Sequence, residues 1–127
     1  MAKGLRLEDL EVYKVAMEIG DLVWQIVMKW EYFARKTLGT QFVDAADSIA
    51  FNISEGYGRF HYKENKNFCY YSRGSAKETL TGANKAKTRN LISENEFVLL
   101  NEKLDRYFRF MHGYIKSIGT SNDDNDL

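Results

Sequence analysis

The chain has 127 residues, no proline, nine glycines, one cysteine and 18 basic against 18 acidic side chains, so its formal net charge is zero. That length makes one domain, and 44% apolar with 14% aromatic residues can fill a single core without disulfides or a structural metal. Intrinsic disorder is excluded for most of the chain, no apolar run is long enough to span a membrane, and Met1 to Leu10 lacks the apolar stretch of a signal peptide.

The missing prolines favour long helices, because proline breaks helix interiors and is common in the loops of other fold classes. From Leu7 to Trp30, steps of about 100° per residue gather Glu11, Lys14, Glu18, Asp21, Gln25 and Lys29 on one narrow face. The apolar remainder, from Val12 to Trp30, is wider than one neighbouring helix requires. The period blurs over Trp30 to Lys36, which predicts a bend before a second helix striped by Leu38, Phe42, Ala45, Ala46, Ile49 and Ile53. Gly56 and Gly58 are expected to end it in a left-handed conformation. A third helix is expected over about Lys63 to Arg89, with an inward seam of mostly small residues: Phe68, Ser72, Ser75, Thr79, Gly82, Ala83 and Ala86. Ser93 and Glu96 have capping-box spacing and open a fourth helix, striped by Phe97, Leu100, Leu104, Phe108, Met111, Ile115 and Ile118. The fold class is therefore all-α, a single up-down-up-down four-helix bundle over residues 1–119. Residues 120–127 form an acidic tail with little to bury, expected to be disordered.

Zero net charge conceals unlike parts. Between Gly56 and Ile92, eight basic residues face two acidic ones, a balance of +6, whereas Glu8 to Glu31 comes to −4. On the third helix Lys63, Lys66, Arg73 and Lys77 lie opposite the small-residue seam with Tyr70 among them, and Arg59 just upstream. A basic stripe with an interleaved aromatic suits phosphate-backbone binding with base stacking. Two other readings stay open: a solvated face, and docking onto the acidic first helix of another copy. Leu99, Phe110 and Tyr114 widen the apolar arc of the fourth helix, which, with the broad first helix, points to an oligomer interface.

Chemistry is harder to find. Neither His61 nor His112 follows a glutamate at the spacing of di-iron bundles, no Cys/His cluster suits zinc, and the Gly56 to His61 stretch lacks a dinucleotide fingerprint. No catalytic residue, metal or cofactor is expected. Gln41, Asp44, Ser48, Asn52 and Glu55 form a polar stripe along the second helix, and Glu78 flanks the seam of the third. A hydrogen-bond network fixing helix register is the favoured role, and an enzyme using Glu55 and Glu78 the lesser one. Lone Cys69 cannot form an internal disulfide and fits a reducing, cytoplasmic location.

The run from Gln41 through Asn52-Ile53-Ser54-Glu55-Gly56-Tyr57-Gly58-Arg59, then Phe68 and Gly74-Ser75-Ala76-Lys77-Glu78, resembles the four-helix-bundle proteins encoded in intervening sequences of bacterial large-subunit (23S) ribosomal RNA genes. Leu10-Glu11-Val12-Tyr13-Lys14-Val15-Ala16 is similar to the opening of those proteins, and the resemblance covers essentially all of Leu7 to Gly119. Members are similar in fold to the accessory variability determinant of diversity-generating retroelements, a homopentamer that binds nucleic acid and a reverse transcriptase. The resemblance thus implies a homopentamer, with itself and RNA or a nucleic-acid-bound protein as partners. The alternative is a structural or protein-interaction module whose basic stripe serves subunit docking, with no nucleic-acid role.

Overall fold

In the computed structural model, which describes residues 6–119, four long helices follow one another: α1 (Glu11–Met28), α2 (Thr40–Tyr57), α3 (Tyr62–Thr88) and α4 (Glu94–Ser117). There is no strand among the described residues, and the acidic tail at 120–127 lies outside them. α1 starts at Glu11, its first charged-face residue, and not at the expected Leu7, because Leu7–Asp9 form a separate 3₁₀ turn and Leu10 is extended (φ −72°, ψ 124°). At the start of α4 the expected capping box is formed. The Glu96 amide donates to Ser93 Oγ at 3.1 Å, and the Ser93 amide to Glu96 Oε1 at 3.0 Å.

The bend expected after α1 is confined to residues 29–31, where Glu31 is extended (φ −69°, ψ 161°); the rest of the blurred stretch is helical. One α turn (Tyr32–Ala34) passes through a π-helical turn (Arg35–Gly39) directly into α2. An extra residue in a turn widens the backbone and lets another element come close. A Cβ on Gly39 would stand 2.7 Å from Val27 Cγ1, so no larger residue fits there without displacement. Beside this run, buried Trp30 donates from Nε1 to the Leu91 carbonyl at 2.6 Å and stacks on Phe42 with centroids 6.1 Å apart. That ring joins the end of α1 to the α3–α4 turn.

The small-residue seam of α3 is where it meets α2. Cys69, Ser72, Ala76, Thr79, Gly82, Ala83 and Ala86 are buried, with Phe68 and Ser75 half-exposed at its border. A Cβ on Gly82 would lie 2.6 Å from the Phe42 ring, and one on Gly56 would lie 2.7 Å from Asn65 Oδ1 and 2.8 Å from Phe68 Cβ. Gly56 therefore serves close approach within α2, and Gly58 ends the helix at φ −79°, so neither has the left-handed conformation expected of it. That conformation belongs to Asn90 (φ 58°), where the Leu91 amide closes the end of α3 on the Ala86 carbonyl at 2.8 Å.

Buried polar groups tie three helices together. Ser72 Oγ donates to the Ile49 carbonyl of α2 at 2.8 Å and accepts from the Tyr107 hydroxyl of α4 at 2.6 Å. Burial pushes the Tyr107 phenol well above its usual range. The core stripe of α4 is turned by roughly 40° from its expected position: Tyr107 and Tyr114 are buried with Leu100, Leu104, Met111 and Ile118, while Phe97, Phe108 and Ile115 are half-buried. α1 closes on α4 through Lys103 and Glu18 at 2.6 Å and through the Lys29–Glu96 pair.

Two contrasts test this packing. Gly82→Ala has a buried ring to displace and should cost about 1–3 kcal/mol, less what helix propensity returns. Gly74→Ala, with nothing within 4 Å of the new Cβ, should gain up to about 1 kcal/mol. Tyr107→Phe leaves Ser72 bonded to Ile49 and should cost about 1 kcal/mol, whereas Ser72→Ala strands the Tyr107 hydroxyl in the core and should cost about 1–3 kcal/mol. Urea unfolding of the four variants measures each value.

Candidate nucleic-acid interface and docking face

The basic stripe forms on α3 because its residues recur every three or four positions opposite a seam that α2 and α4 consume. Lys66, Tyr70, Arg73 and Lys77 share this outer face. Tyr70 is 44% exposed, with the Arg73 guanidinium 5.1 Å from its ring centroid. Lys77 Nζ lies 4.4 Å from the Phe108 ring centroid of α4. The ion pairs among the described residues leave Lys66, Arg73 and Lys77 without a carboxylate partner. Cations resting on aromatic rings keep their charge and part of their hydration, so a phosphate can still approach them. Lys63 lies one turn ahead on α3. Arg59 does not join the others: it pairs with Glu55 at 2.8 Å and Glu64 at 3.8 Å, and its guanidinium lies 4.8 Å from the Phe68 ring. Its charge is spent within the α2–α3 turn.

The polar stripe of α2 divides among several neighbourhoods. Ser48 donates to the Asp44 carbonyl at 2.7 Å and Asn52 to the Ser48 carbonyl at 2.8 Å, both one helical turn back on the same helix. Gln41 and Glu78 border a small cavity beside Phe42, Gly82 and Lys85, while Glu55 is at the other end of α2 with Arg59. The structure therefore does not bring Glu55 and Glu78 together. The polar set that does cross between helices is Asn65, Ser72, Tyr107 and Tyr114, with Asn65 Nδ2 donating to the Tyr114 hydroxyl at 3.5 Å. Its sequence signal was the spacing of Tyr107 between Leu104 and Met111 at α4's helical period. Tyr114, expected at an oligomer interface, is only 8% exposed; burial pushes its phenol to about 12. Leu99 is exposed and Phe110 half-buried.

A second face lies along α1 and α2. Met17, Trp24, Met28 and Phe51 are 44–73% exposed there, which accounts for the excess apolar width of the first helix. Two grooves of about 260 Å³ each run between these helices, one edged by Met17, Gly20 and Phe51, the other by Trp24, Met28 and Val43. Three carboxylates border them: Asp21, Asp44 and Asp47. Desolvation, then the charges of Asp21 and Asp44, raises the pKa of Asp47 above the usual carboxylate value. Arg35 lines the second groove beside Asp44, so the uncompensated edge is that of the first, with Asp21 and Asp47; an apolar groove with such an edge suits an apolar partner surface carrying cations. No helix among the described residues is long and apolar enough to cross a membrane, and none of their His, Cys, Asp and Glu side chains cluster as a metal site.

Comparison with known proteins agrees with the fold. No curated protein matches the sequence. A solved structure of a Bacteroides thetaiotaomicron protein of unknown function, from the S23 ribosomal protein family, superposes with a TM-score of 0.74 at 15% identity, covering 84% of this chain and 99% of that one. At that identity the likeness concerns the fold. The family described as 23S rRNA-intervening sequence protein matches residues 8–113, taking in all of α1, α2 and α3 and most of α4. By that match, the chain belongs to the 23S rRNA-intervening sequence protein family.

Proposed function

We propose that the chain is a non-enzymatic, cytoplasmic, homo-oligomeric bundle, an up-down-up-down protomer assembled as a pentamer, which offers the outer face of α3 to RNA or to a nucleic-acid-bound protein. The observation that carries this reading is the presence of two chemically distinct faces on one bundle. The α1/α2 face is apolar and suits burial against a second copy; the α3 face presents Lys66, Arg73 and Lys77 around Tyr70 with no carboxylate partner among the described residues. Buried Cys69, its thiol pushed up to about 12 by desolvation, is an inert thiol suited to a reducing compartment.

Filter binding of a structured RNA across a salt series tests the RNA part. Retention at low salt is expected, and reversing Lys66, Arg73 and Lys77 should lower the logarithmic salt slope by about 2–3. No retention, or an unchanged slope, overturns it. For the assembly, light scattering should give about 74 kDa for five copies of a 14.8 kDa chain.

Asp21, Asp44 and Asp47, which have no ion pair among the described residues, favour a second reading, in which a neighbour's α3 stripe docks into the acidic grooves and no nucleic acid is bound. High salt should then dissociate the oligomer, and an unchanged mass would remove this reading. Asp47 also has a pH signature. Its raised pKa means the folded protomer holds this proton more tightly than the unfolded chain, so stability falls as pH rises from about 4 through that pKa. Asp47→Asn should flatten Tm against pH in the isolated protomer, yet weaken assembly if a neighbour's cations cover the cluster.

A further inference from the structure

We propose that the cleft between the Tyr32–Gly39 run and the C-terminal end of α3 binds single-stranded nucleic acid, with a base stacked on Phe33 and adjacent phosphates on Lys85 and Arg89. This goes beyond the α3-stripe reading and needs neither the stripe nor the oligomer.

The cleft measures about 530 Å³, inside the roughly 300–1,000 Å³ range of ligand pockets, and is lined by Phe33, Thr37, Gln41, Lys85, Arg89 and Leu91. Phe33 stands 73% exposed on one wall. Thr37, four residues on, bonds back to the Phe33 carbonyl at 2.6 Å, so the two side chains share one side of the run while Leu38 is buried. On the opposite wall Lys85 and Arg89 also border a shallower hollow with Thr81, Asn84 and Thr88, which extends the cationic surface along α3.

The charge there is available. Lys87, between them in sequence, is engaged by Glu94 at 3.4 Å and by the Phe97 ring at 4.3 Å, whereas Lys85 and Arg89 have no ion pair among the described residues. Glu78 borders the small neighbouring cavity that Gln41 and Lys85 also line.

Cations at a helix C-terminus also offset the helix dipole, which explains Lys85 and Arg89 on their own. It does not explain an exposed phenylalanine facing them across an open, polar-edged cleft. That pairing of an aromatic platform with flanking cations is the chemistry by which single strands are held, since each unpaired base has a π-face free to stack. A duplex keeps its bases stacked inside and would reach only the cations. The site is also distinct from the stripe: at about 100° per residue, Lys85 and Arg89 lie roughly a third of the circumference round α3 from Lys66, Arg73 and Lys77.

Fluorescence anisotropy of the full chain with a labelled oligouridine and a matched RNA duplex tests the assignment. Phe33→Ala should weaken oligouridine binding by roughly 5–100-fold and leave the duplex unaffected. The Lys85→Gln/Arg89→Gln pair should lower the single-strand salt slope by about 1.4. All three side chains are exposed, and circular dichroism verifies that the variants fold. The proposal is overturned if both variants bind oligouridine as the parent does, if the duplex loses as much as the single strand on Phe33→Ala, or if an oligoglutamate peptide competes as well as unlabelled oligouridine. A Lys66→Gln/Arg73→Gln/Lys77→Gln variant keeps the two readings apart: loss there alone supports the stripe and rejects the cleft.

Discussion

The contact between Phe42 and Gly82 governs the rest of the bundle. A ring this size can come so close to α3 only where the facing residue has no side chain, and the seam continues that allowance through Ala76, Ala83 and Ala86. With α2 held so close, Ser72 reaches the Ile49 carbonyl, and Tyr107 reaches Ser72 from the other side. Close backbone approach and a satisfied polar chain reinforce one another, since the chain has good geometry only at one register. The opposite end of the same ring stack engages Trp30, whose bond to Leu91 ties in the α3–α4 turn.

This arrangement decides which parts of α3 remain outside. Its seam is built of small residues, so the long charged side chains occupy the outer arc beside exposed Tyr70 and Tyr71, where they can extend over Tyr70 and Phe108. α1 is the reverse case. It has more large apolar residues than its contacts with α2 and α4 can cover, and Met17, Trp24 and Met28 are left outside next to Phe51. One bundle thus presents a cationic face that costs little to leave in water and an apolar, acid-edged face that gains from being covered. Zero net charge follows from summing these faces and says nothing about either.

The π turn before α2 is the third feature that shapes the surface. It keeps Gly39 against Val27 and Trp30, carries Leu38 into the core and leaves Phe33 and Thr37 on the outside, opposite the end of α3. An unbroken helical run gives the cleft two firm walls, one from this segment and one from Lys85 and Arg89.

Much of this was legible in the residues alone. The absence of proline, the helical periods and the Ser93 capping box determined an all-α chain with its four helices, because these are local effects that act over one or two turns. The small-residue seam and the excess apolar width of α1 were legible for the same reason. Tertiary structure decided what depends on partners distant in sequence. Tyr107 and Tyr114 turned inward because Ser72 and Asn65 wait there, and Arg59 left the stripe because Glu55 and Glu64 surround it. Gly56 serves a close approach that no local rule specifies, and Asn90 takes the left-handed turn assigned to the glycines. Periodicity tells which side of a helix is apolar; only packing determines which of those side chains finds a neighbour.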